Sequence, residues 1–208
     1  MRLATLGVGA ADSPRYAPAG LLVARGGVRV MLDGGPGAAP SGRLDAWLVT
    51  DERAELRSQL RRLAAERGLH PHAGSFQRWV LRIDARPVVH TSHPTFGYVI
   101  QAPEGTVVWA PEFLEFPGWA HGATLMFAEA AGWERPIRFA GGVGGHLHVP
   151  AVAEDALRHR VGRLVFAHIG RPTIRAIDRG ERPAFGNFAH DGQVFRVTGP
   201  ATLPLKGD

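Results

Sequence analysis

The sequence predicts an α/β fold in which two β-sheets pack against each other and helices cover their outer faces. Short apolar segments of strand length recur along all 208 residues, and helical segments follow buried strands in each half of the chain. Histidines and carboxylates stand repeatedly where those strands end, as they do around the sites of α/β proteins. Neither a low-complexity linker nor an internal repeat divides the chain, so we expect one domain over residues 1–208.

In the first half of the chain, the predicted strands are 2–7, 20–25, 28–32 and 44–50. Asp33 follows the third strand and opens a glycine-rich loop, which lacks the Gly-Lys-Ser/Thr of a phosphate-binding Walker sequence. Thr50 or Asp51 is placed to cap a helix that we expect to extend to about Arg67, with Gly68 just beyond its end. This pattern predicts a strand–loop–helix unit with polar groups at its corner.

In the second half, a helix is predicted near 151–160 and the predicted strands are 75–83, 96–101, 106–110, 124–128, 163–170 and 193–197. The second and third of these strands form a hairpin around residues 103–105. His90 and His93 precede the hairpin, and Glu112 follows it. Because a hairpin brings its outer ends together, a histidine and a carboxylate are expected to meet at one sheet edge. That pairing suits a metal or acid–base site, although both residues would also serve as simple caps of strand ends.

The charge of the chain limits the classes of partner. The formal charge is +5 and Lys206 is the only lysine, so nearly all of the positive charge is carried by arginine. Arginine suits phosphate and carboxylate groups. This permits a small anionic molecule or a nucleic acid as the partner and establishes neither. We expect four arginines between residues 57 and 67 to form a solvated helix face rather than a nucleic-acid contact.

Other classes are excluded by what the sequence lacks. It contains no cysteine, so we expect neither disulfides nor thiolate chemistry. No window of 18 residues is free of charge, and the first residues lack the apolar run of a signal peptide, so we expect a cytoplasmic protein without a membrane partner. Phe113, Phe116 and Trp119 are expected to be exposed, as a pocket wall, a cover for a sheet edge or the contact of a homodimer.

The order of six segments resembles the metallo-β-lactamase-fold superfamily, especially its tRNase Z and carbon–phosphorus-lyase phosphodiesterase branches. The segments are LGVGAADSPRYAPAGLLV, VRVMLDGGPG, PVVHTSHPTFGYVI, VVWAPE, GGHLHV and LVFAHIG, and they span nearly the whole chain. The resemblance implies an α/β fold of the four-layer αββα sandwich type. It implies that Asp33 is the buried aspartate of that fold and that His90 and His168 are metal ligands. It further implies that Glu112 replaces the metal-bridging aspartate and that His146 contacts substrate phosphate and assists proton transfer.

The chain departs from the superfamily at the signature His-x-His-x-Asp-His, which follows a buried strand. The residues at the corresponding positions are Asp51, Arg53, Glu55 and Leu56, so three nitrogen ligands are missing. The usual two-zinc site cannot form, because zinc favours nitrogen and sulfur ligands in tetrahedral geometry. Arg53 would also put a fixed positive charge where one ion belongs.

Two outcomes remain open for the metal site. One divalent ion, manganese, iron or zinc, would be held by two histidines and up to three carboxylates, the candidate ligands being Asp51, Glu55, His90, Glu112 and His168. Alternatively, Arg53 pairs with Glu112 and no ion binds. If an ion binds, His146 is the candidate catalytic residue, acting as a general acid. We expect surface positions for the remaining candidate histidines, His70, His72, His93 and His148.

The resemblance implies a metal-dependent hydrolase that acts on a phosphodiester or related ester. The alternative is a non-catalytic, metal-free relative that binds a small anionic ligand or a protein partner. RNA processing is disfavoured, because the chain leaves no room for the arm with which tRNase Z grips tRNA. Bound metal discriminates between the first two functions, and nuclease activity or salt-dependent RNA binding tests the third.

Overall fold

The computed structural model of the protein describes residues 1–199, which form fourteen β-strands and three α-helices. In chain order the strands are β1 (Arg2–Gly7), β2 (Gly20–Arg25), β3 (Val28–Asp33), β4 (Ala46–Leu48), β5 (Phe76–Arg78), β6 (Leu81–Val88), β7 (Thr95–Ala102), β8 (Gly105–Ala110), β9 (Leu125–Ala130), β10 (Ile137–Arg138), β11 (Gly145–His146), β12 (Leu164–Ile169), β13 (Asn187–Phe188) and β14 (Gln193–Arg196). The helices are α1 (Arg57–Ala65), α2 (Val149–Arg158) and α3 (Arg171–Asp178).

These strands form two main sheets and one short hairpin. The first sheet has the order β14-β1-β2-β3-β4 and is antiparallel except between β3 and β4. The second has the order β13-β12-β9-β8-β7-β6-β5, with an antiparallel half from β5 to β8 and a parallel half from β8 to β13. The hairpin consists of β10 and β11, in which Ile137 lies opposite His146. Since parallel strands end at the same edge, β8, β9 and β12 deliver the residues that follow them to one place.

The alternation of apolar residues along the strands explains the layers. In β2, Leu21 and Val23 face the core between the two sheets, while Leu22 faces outward and packs with Leu60 of α1. Helix α2 packs on β9 and β12, which are buried along their whole length. A helix therefore covers the outer face of each sheet, as the predicted αββα sandwich requires. Among residues 1–199, no helix combines the length and apolar character needed to span a bilayer.

The predicted helix start at residue 51 is wrong. Helix α1 begins at Arg57, and residues 51–56 form turns. Oδ1 of Asp51 accepts a hydrogen bond from the backbone N–H of Arg53, as a helix cap would, but separate turns follow before the helix begins. The end of the helix is as expected, because Gly68 follows it with a φ of +68°. The four arginines between 57 and 67 are exposed or half-buried on this helix or just beyond it.

Three further expectations need correction. The segment 75–83 forms two strands, not one, because the chain turns at Trp79 with a φ of +52°. Phe113 is fully buried in the core, and Phe116 and Trp119 are half-buried beside it. The possible homodimer stays a prediction. Helix α3 was not predicted, since its Arg171-Pro172 start and two-turn length leave little periodic signal.

Candidate metal and acid–base site

The parallel half of the second sheet ends in a pocket of about 280 Å³ that gathers the sequence-predicted residues. Glu112 lies two residues beyond β8, His168 lies near the end of β12, and His90 follows β6. The short β10–β11 hairpin adds His146. We call this cavity the histidine pocket; its polar and aromatic lining includes Asp51, Arg53, Glu55, His90, His93, Glu112, Phe139, His146 and His168.

Glu112 lies between two histidines at the centre of the pocket. Its Oε2 lies 3.0 Å from Nε2 of His90, and its Oε1 lies 2.8 Å from Nε2 of His168. Both histidine side chains are almost completely buried. The hairpin argument thus predicted the meeting of His90 and Glu112, and the parallel strand β12 adds the second imidazole.

The opposite nitrogen of each of these rings is held by a fixed acceptor. Nδ1 of His90 donates to the backbone carbonyl of Gly145 over 3.0 Å, and Nδ1 of His168 lies 3.3 Å from Oε1 of Glu129. Ligating histidines in proteins are commonly oriented in this way. Since both nitrogens of each ring face acceptors, these contacts favour the doubly protonated form of each ring in the metal-free protein.

The ionisation of the site follows from these contacts. Burial lowers the pKa of His90 and of His168, but the hydrogen bond and charge of Glu112 outweigh it, and both pKa values are raised. Burial raises the pKa of Glu112, but the charge of His168 and the hydrogen bonds from both rings hold the pKa well below its usual range. The metal-free centre is therefore a carboxylate between two imidazolium groups.

Glu129 is the functional residue that the sequence reasoning missed. Its side chain is fully buried on β9 and accepts hydrogen bonds from the backbone N–H groups of Phe113 and Ala131 and from Nδ1 of His146 and His168. Burial raises its pKa, but the charge and hydrogen bonds of the two histidines lower the pKa to about 2. A carboxylate inside the otherwise apolar segment LMFAEA was the signal available in the sequence.

The imidazole of His146 is oriented so that its Nε2 atom can exchange a proton with a molecule in the pocket. Its Nδ1 lies 2.7 Å from Oε2 of Glu129, and its ring stacks on that of His168 with the centroids 5.2 Å apart. Within residues 1–199, Nε2 of His146 makes no hydrogen bond to protein, and the residue lines the cavity. A histidine with one nitrogen anchored to a carboxylate and the other directed to a ligand cavity is arranged for proton transfer.

The donor types suit one divalent ion, because two imidazole nitrogens and a carboxylate are common ligands of zinc, iron and manganese. The spacings of Glu112 to the two Nε2 atoms, 3.0 and 2.8 Å, are hydrogen-bond distances, so an ion would require Glu112 to move and both protons to leave. Among residues 1–199, the group whose donor atoms already lie within 4.8 Å of one another is Glu129, His146 and His168. The oxygens of Glu129 are already occupied by four N–H donors, however, so we regard it as the residue that orients both rings.

The other predicted ligands lie in the same pocket but contact different groups. Nε2 of His93 lies 2.9 Å from each carboxylate oxygen of Asp51, so the expectation that His93 is a surface residue is wrong. Glu55 is exposed on the pocket wall. The predicted pair of Arg53 with Glu112 does not form, because the histidines occupy both oxygens of Glu112. Ligation by Asp51 and Glu55 stays a prediction.

The remaining candidate histidines lie outside the pocket. His70 and His72 are exposed, as expected for the loop between α1 and β5. His148 is half-buried at the start of α2 rather than on the surface, and its Nδ1 is enclosed without a hydrogen-bond partner among residues 1–199. Burial lowers the pKa of His148, which favours a neutral ring.

Asp33 joins the two sheets beneath the histidine pocket through hydrogen bonds to each of them. Its Oδ1 accepts hydrogen bonds from the backbone N–H and the hydroxyl of Thr50, beyond β4, and its Oδ2 accepts one from Nε1 of Trp109 on β8. Burial raises the pKa of Asp33 to about 6, although these donors act in the opposite direction. Its φ of +51° is one that aspartate tolerates better than most residues.

The overall architecture matches solved structures of one fold. The metallo-β-lactamase fold protein YhfI from Bacillus subtilis superposes with a TM-score of 0.72 at 15% identity, covering 94% of this chain and 99% of that chain. The chain has the metallo-β-lactamase fold. A diphosphatase of the PhnP family matches this metallo-β-lactamase-fold protein with a TM-score of 0.70 at 16% identity, over 96% of this chain and 99% of that one.

The short form of human tRNase Z gives a TM-score of 0.71 at 16% identity, over 95% of this metallo-β-lactamase-fold protein and 99% of that chain. No family model and no curated protein sequence matches the chain. At these identities the comparisons show the fold alone, so the chemistry of the histidine pocket has to be argued from its own residues.

Proposed function

We propose that the protein is a hydrolase with a single divalent ion and that it acts on a phosphodiester or related ester. The observation that carries the proposal is the convergence of Nε2 of His90 and Nε2 of His168 on Glu112, with the Nδ1 atom of each ring held by an acceptor. Two nitrogens and one carboxylate on one side of an open cavity are a common ligand set for catalytic zinc, iron and manganese. When bound, the ion would supply Lewis acidity toward an oxygen of the ester.

The substrate class is proposed from the neighbours and from the charge of the pocket. The diphosphatase and the tRNase Z among the structural neighbours are named for activities on phosphate groups. Arg53 is exposed on the pocket wall, and within residues 1–199 it has no ion pair that would compete with a bound anion. Its guanidinium is suited to the non-bridging oxygens of a phosphate ester. Among the carboxylates Asp12, Asp51 and Glu55 on the same wall, Arg53 is the group that would contact an anionic substrate.

His146 is the residue that we propose to protonate the leaving oxygen. Glu129 fixes its Nδ1–H over 2.7 Å, so the proton that moves is the one on Nε2, which faces the cavity. In this scheme Glu129 is a positioning residue and His146 is the general acid.

The test is the metal content of protein purified without chelator, measured by elemental analysis alongside His90→Gln and His168→Gln. About one ion per chain in the wild type, lost in both variants, would support the proposal. The matched control is His121→Gln, an exposed histidine outside the pocket, which should retain the ion. Failure of the wild type to bind zinc, manganese or iron would reject it.

One observation favours a second function, that of a metal-free relative that binds an anion. Glu112 is long enough to contact both Nε2 atoms directly, so the centre is satisfied without an ion. In that case the imidazolium groups and Arg53 would bind the anion by charge alone, and no hydrolysis would occur. Phosphate binding that is unchanged by a chelator, together with absence of metal, would support this second function and exclude the first.

A further inference from the structure

A second cavity with a different character lies beside the histidine pocket. It encloses about 670 Å³ between the segment 132–138 and helix α3. Four arginines line it, and we call it the arginine pocket after them: Arg135, Arg138, Arg175 and Arg179. Its volume lies in the range of small-molecule sites, roughly 300–1,000 Å³.

The two pockets are separate but share a wall. No residue lines both of them. Arg138 on β10 faces the arginine pocket, whereas the next residue, Phe139, faces the histidine pocket and lies with its ring 5.4 Å from that of His146. Successive residues of an extended chain point to opposite sides, so the β10–β11 hairpin divides the two cavities.

The charge of the arginine pocket is largely uncompensated. Arg179 pairs with Glu181, with Nε 2.6 Å from Oε1. Within residues 1–199, Arg135, Arg138 and Arg175 form neither an ion pair nor a side-chain hydrogen bond. Glu134 is the one acidic residue in the lining as described. All three side chains are exposed along the cavity, so each guanidinium can turn toward an anion bound there.

The lining also selects the kind of anion. Guanidinium groups bind phosphate oxygens in pairs, and several of them around one cavity suit a group with more than one negative charge. Ile137, Pro136 and Pro172 supply an apolar part of the wall. That combination matches a small molecule with a phosphate or diphosphate at one end and an apolar part at the other.

We propose that the arginine pocket binds a small phosphorylated molecule through Arg135, Arg138 and Arg175. This site is distinct from the metal centre, needs no ion, and does not depend on the proposed hydrolase function. The charged recognition is made by these three arginines.

The test uses inorganic pyrophosphate as the probe, titrated calorimetrically into the full chain in the presence of EDTA. The pocket variant is Arg138→Gln with Arg175→Gln. The matched control is Arg2→Gln with Arg196→Gln, two exposed arginines paired across β1 and β14 that make the same change in net charge. Thermal unfolding of each variant verifies that it is folded.

We expect one pyrophosphate site per chain, weakened at least tenfold, or about 1.4 kcal/mol, in the pocket variant and less than twofold in the control. Equal losses in both variants would show non-specific charge attraction and overturn the proposal. So would absence of binding up to about 1 mM, which corresponds to a free energy near −4 kcal/mol. Loss of binding in His90→Gln but not in the pocket variant would place the anion in the histidine pocket instead. Binding of a short single-stranded RNA without binding of pyrophosphate would overturn the small-molecule proposal in favour of a nucleic-acid contact.

Discussion

On the wall of the histidine pocket, a single ring nitrogen of His93 contacts both carboxylate oxygens of Asp51: Nε2 lies 2.9 Å from each of them. The pair joins the turn after β4 to the loop before β7, at the corner where the helix was expected to begin. It keeps the carboxylate of Asp51 occupied and so separates it from the His90–Glu112–His168 centre. Its energetic value can be measured directly.

A double-mutant cycle with Asp51→Asn and His93→Gln should give a coupling energy of about 1 kcal/mol, because Asp51 is buried, His93 is half-buried and the ring contacts both carboxylate oxygens. Urea unfolding near pH 6 measures it. The control cycle is Arg15→Gln with Asp178→Asn, an exposed ion pair at 2.9 Å whose coupling should be below about 0.5 kcal/mol. Equal coupling energies in the two cycles would contradict a special role for the His93–Asp51 pair.

Removal of the His168 imidazole, which contacts both Glu112 and Glu129, should lower the free energy of unfolding. In His168→Ala, the carboxylates of Glu112 and Glu129 each lose a cationic partner at the end of the second sheet. We expect the free energy of unfolding to fall by about 3–5 kcal/mol in EDTA at pH 7, since breaking a buried pair leaves an uncompensated charge. His121→Ala, at an exposed position, should cost less than about 0.5 kcal/mol. A loss below 1 kcal/mol in His168→Ala would mean that the two carboxylates are neutral or solvated.

The stability of the metal-free protein should depend on pH in a defined way. The lowered pKa values of Glu112 and Glu129 give stability that is complete above their ordinary pKa of 4.5 and is lost as the pH falls through the folded values. The raised pKa values of His90 and His168 give stability that is complete below 6.5 and is lost as the pH rises through the folded values.

Asp33 changes stability in the same direction as the histidines, but at lower pH. Its pKa is raised from 3.8 to about 6, so its contribution falls as the pH rises through that interval. Maximal stability in EDTA is therefore expected between pH 4.5 and 6.5, with urea midpoints declining on either side. The decline above 6.5 should shrink in His90→Gln. A midpoint that rises steadily from pH 6 to 9 would contradict the double imidazolium centre.

The carboxylate of Glu112 has two candidate roles, direct contact with two imidazoles and ligation of an ion. Shortening its side chain by one methylene should separate them. In Glu112→Asp the oxygens would withdraw from the direct contacts at 3.0 and 2.8 Å, so the metal-free protein should lose about 1–2 kcal/mol of stability. The space gained suits an ion, so zinc affinity measured by competition with a chelating dye should be unchanged or higher. Glu115→Asp, a change at an exposed residue nearby, is the control. Loss of zinc affinity with unchanged metal-free stability would reverse this interpretation.

The periodic pattern was sufficient to predict the fold. Nearly all the strands were placed because their apolar residues alternate or run continuously, and the hairpin 95–110 brought His90 to Glu112 as the connectivity required. The order of the polar residues at strand ends predicted the fold that the structural comparisons show. The turns at 51–56 escaped prediction, because Asp51 makes the hydrogen bond typical of a helix cap although the helix begins only at Arg57.

The missed parts of the site depend on partners that are distant in sequence. Glu129 looks out of place in an apolar strand, but its role follows only from the imidazoles of His146 and His168, 17 and 39 residues further on. His93 resembled a surface histidine until the fold brought Asp51, 42 residues earlier, against its ring. The arginine pocket likewise needs helix α3 and the β10–β11 hairpin, neither of which has a clear periodic signal.

His90 and Gly145 are joined by two hydrogen bonds in opposite directions. The amide of Gly145 donates to the backbone carbonyl of His90 over 2.9 Å, and its own carbonyl accepts from the imidazole. A side chain on Gly144 would collide with the backbone of His90, so only a glycine at position 144 lets the two backbone segments come this close. The hydrogen-exchange rate of the Gly145 amide therefore reports how often the backbone contact between Gly145 and His90 opens. The exchange rate of this one amide proton would show whether a ligand in either cavity makes the segment around His90 more rigid or more mobile. The measurement needs no assay of catalysis.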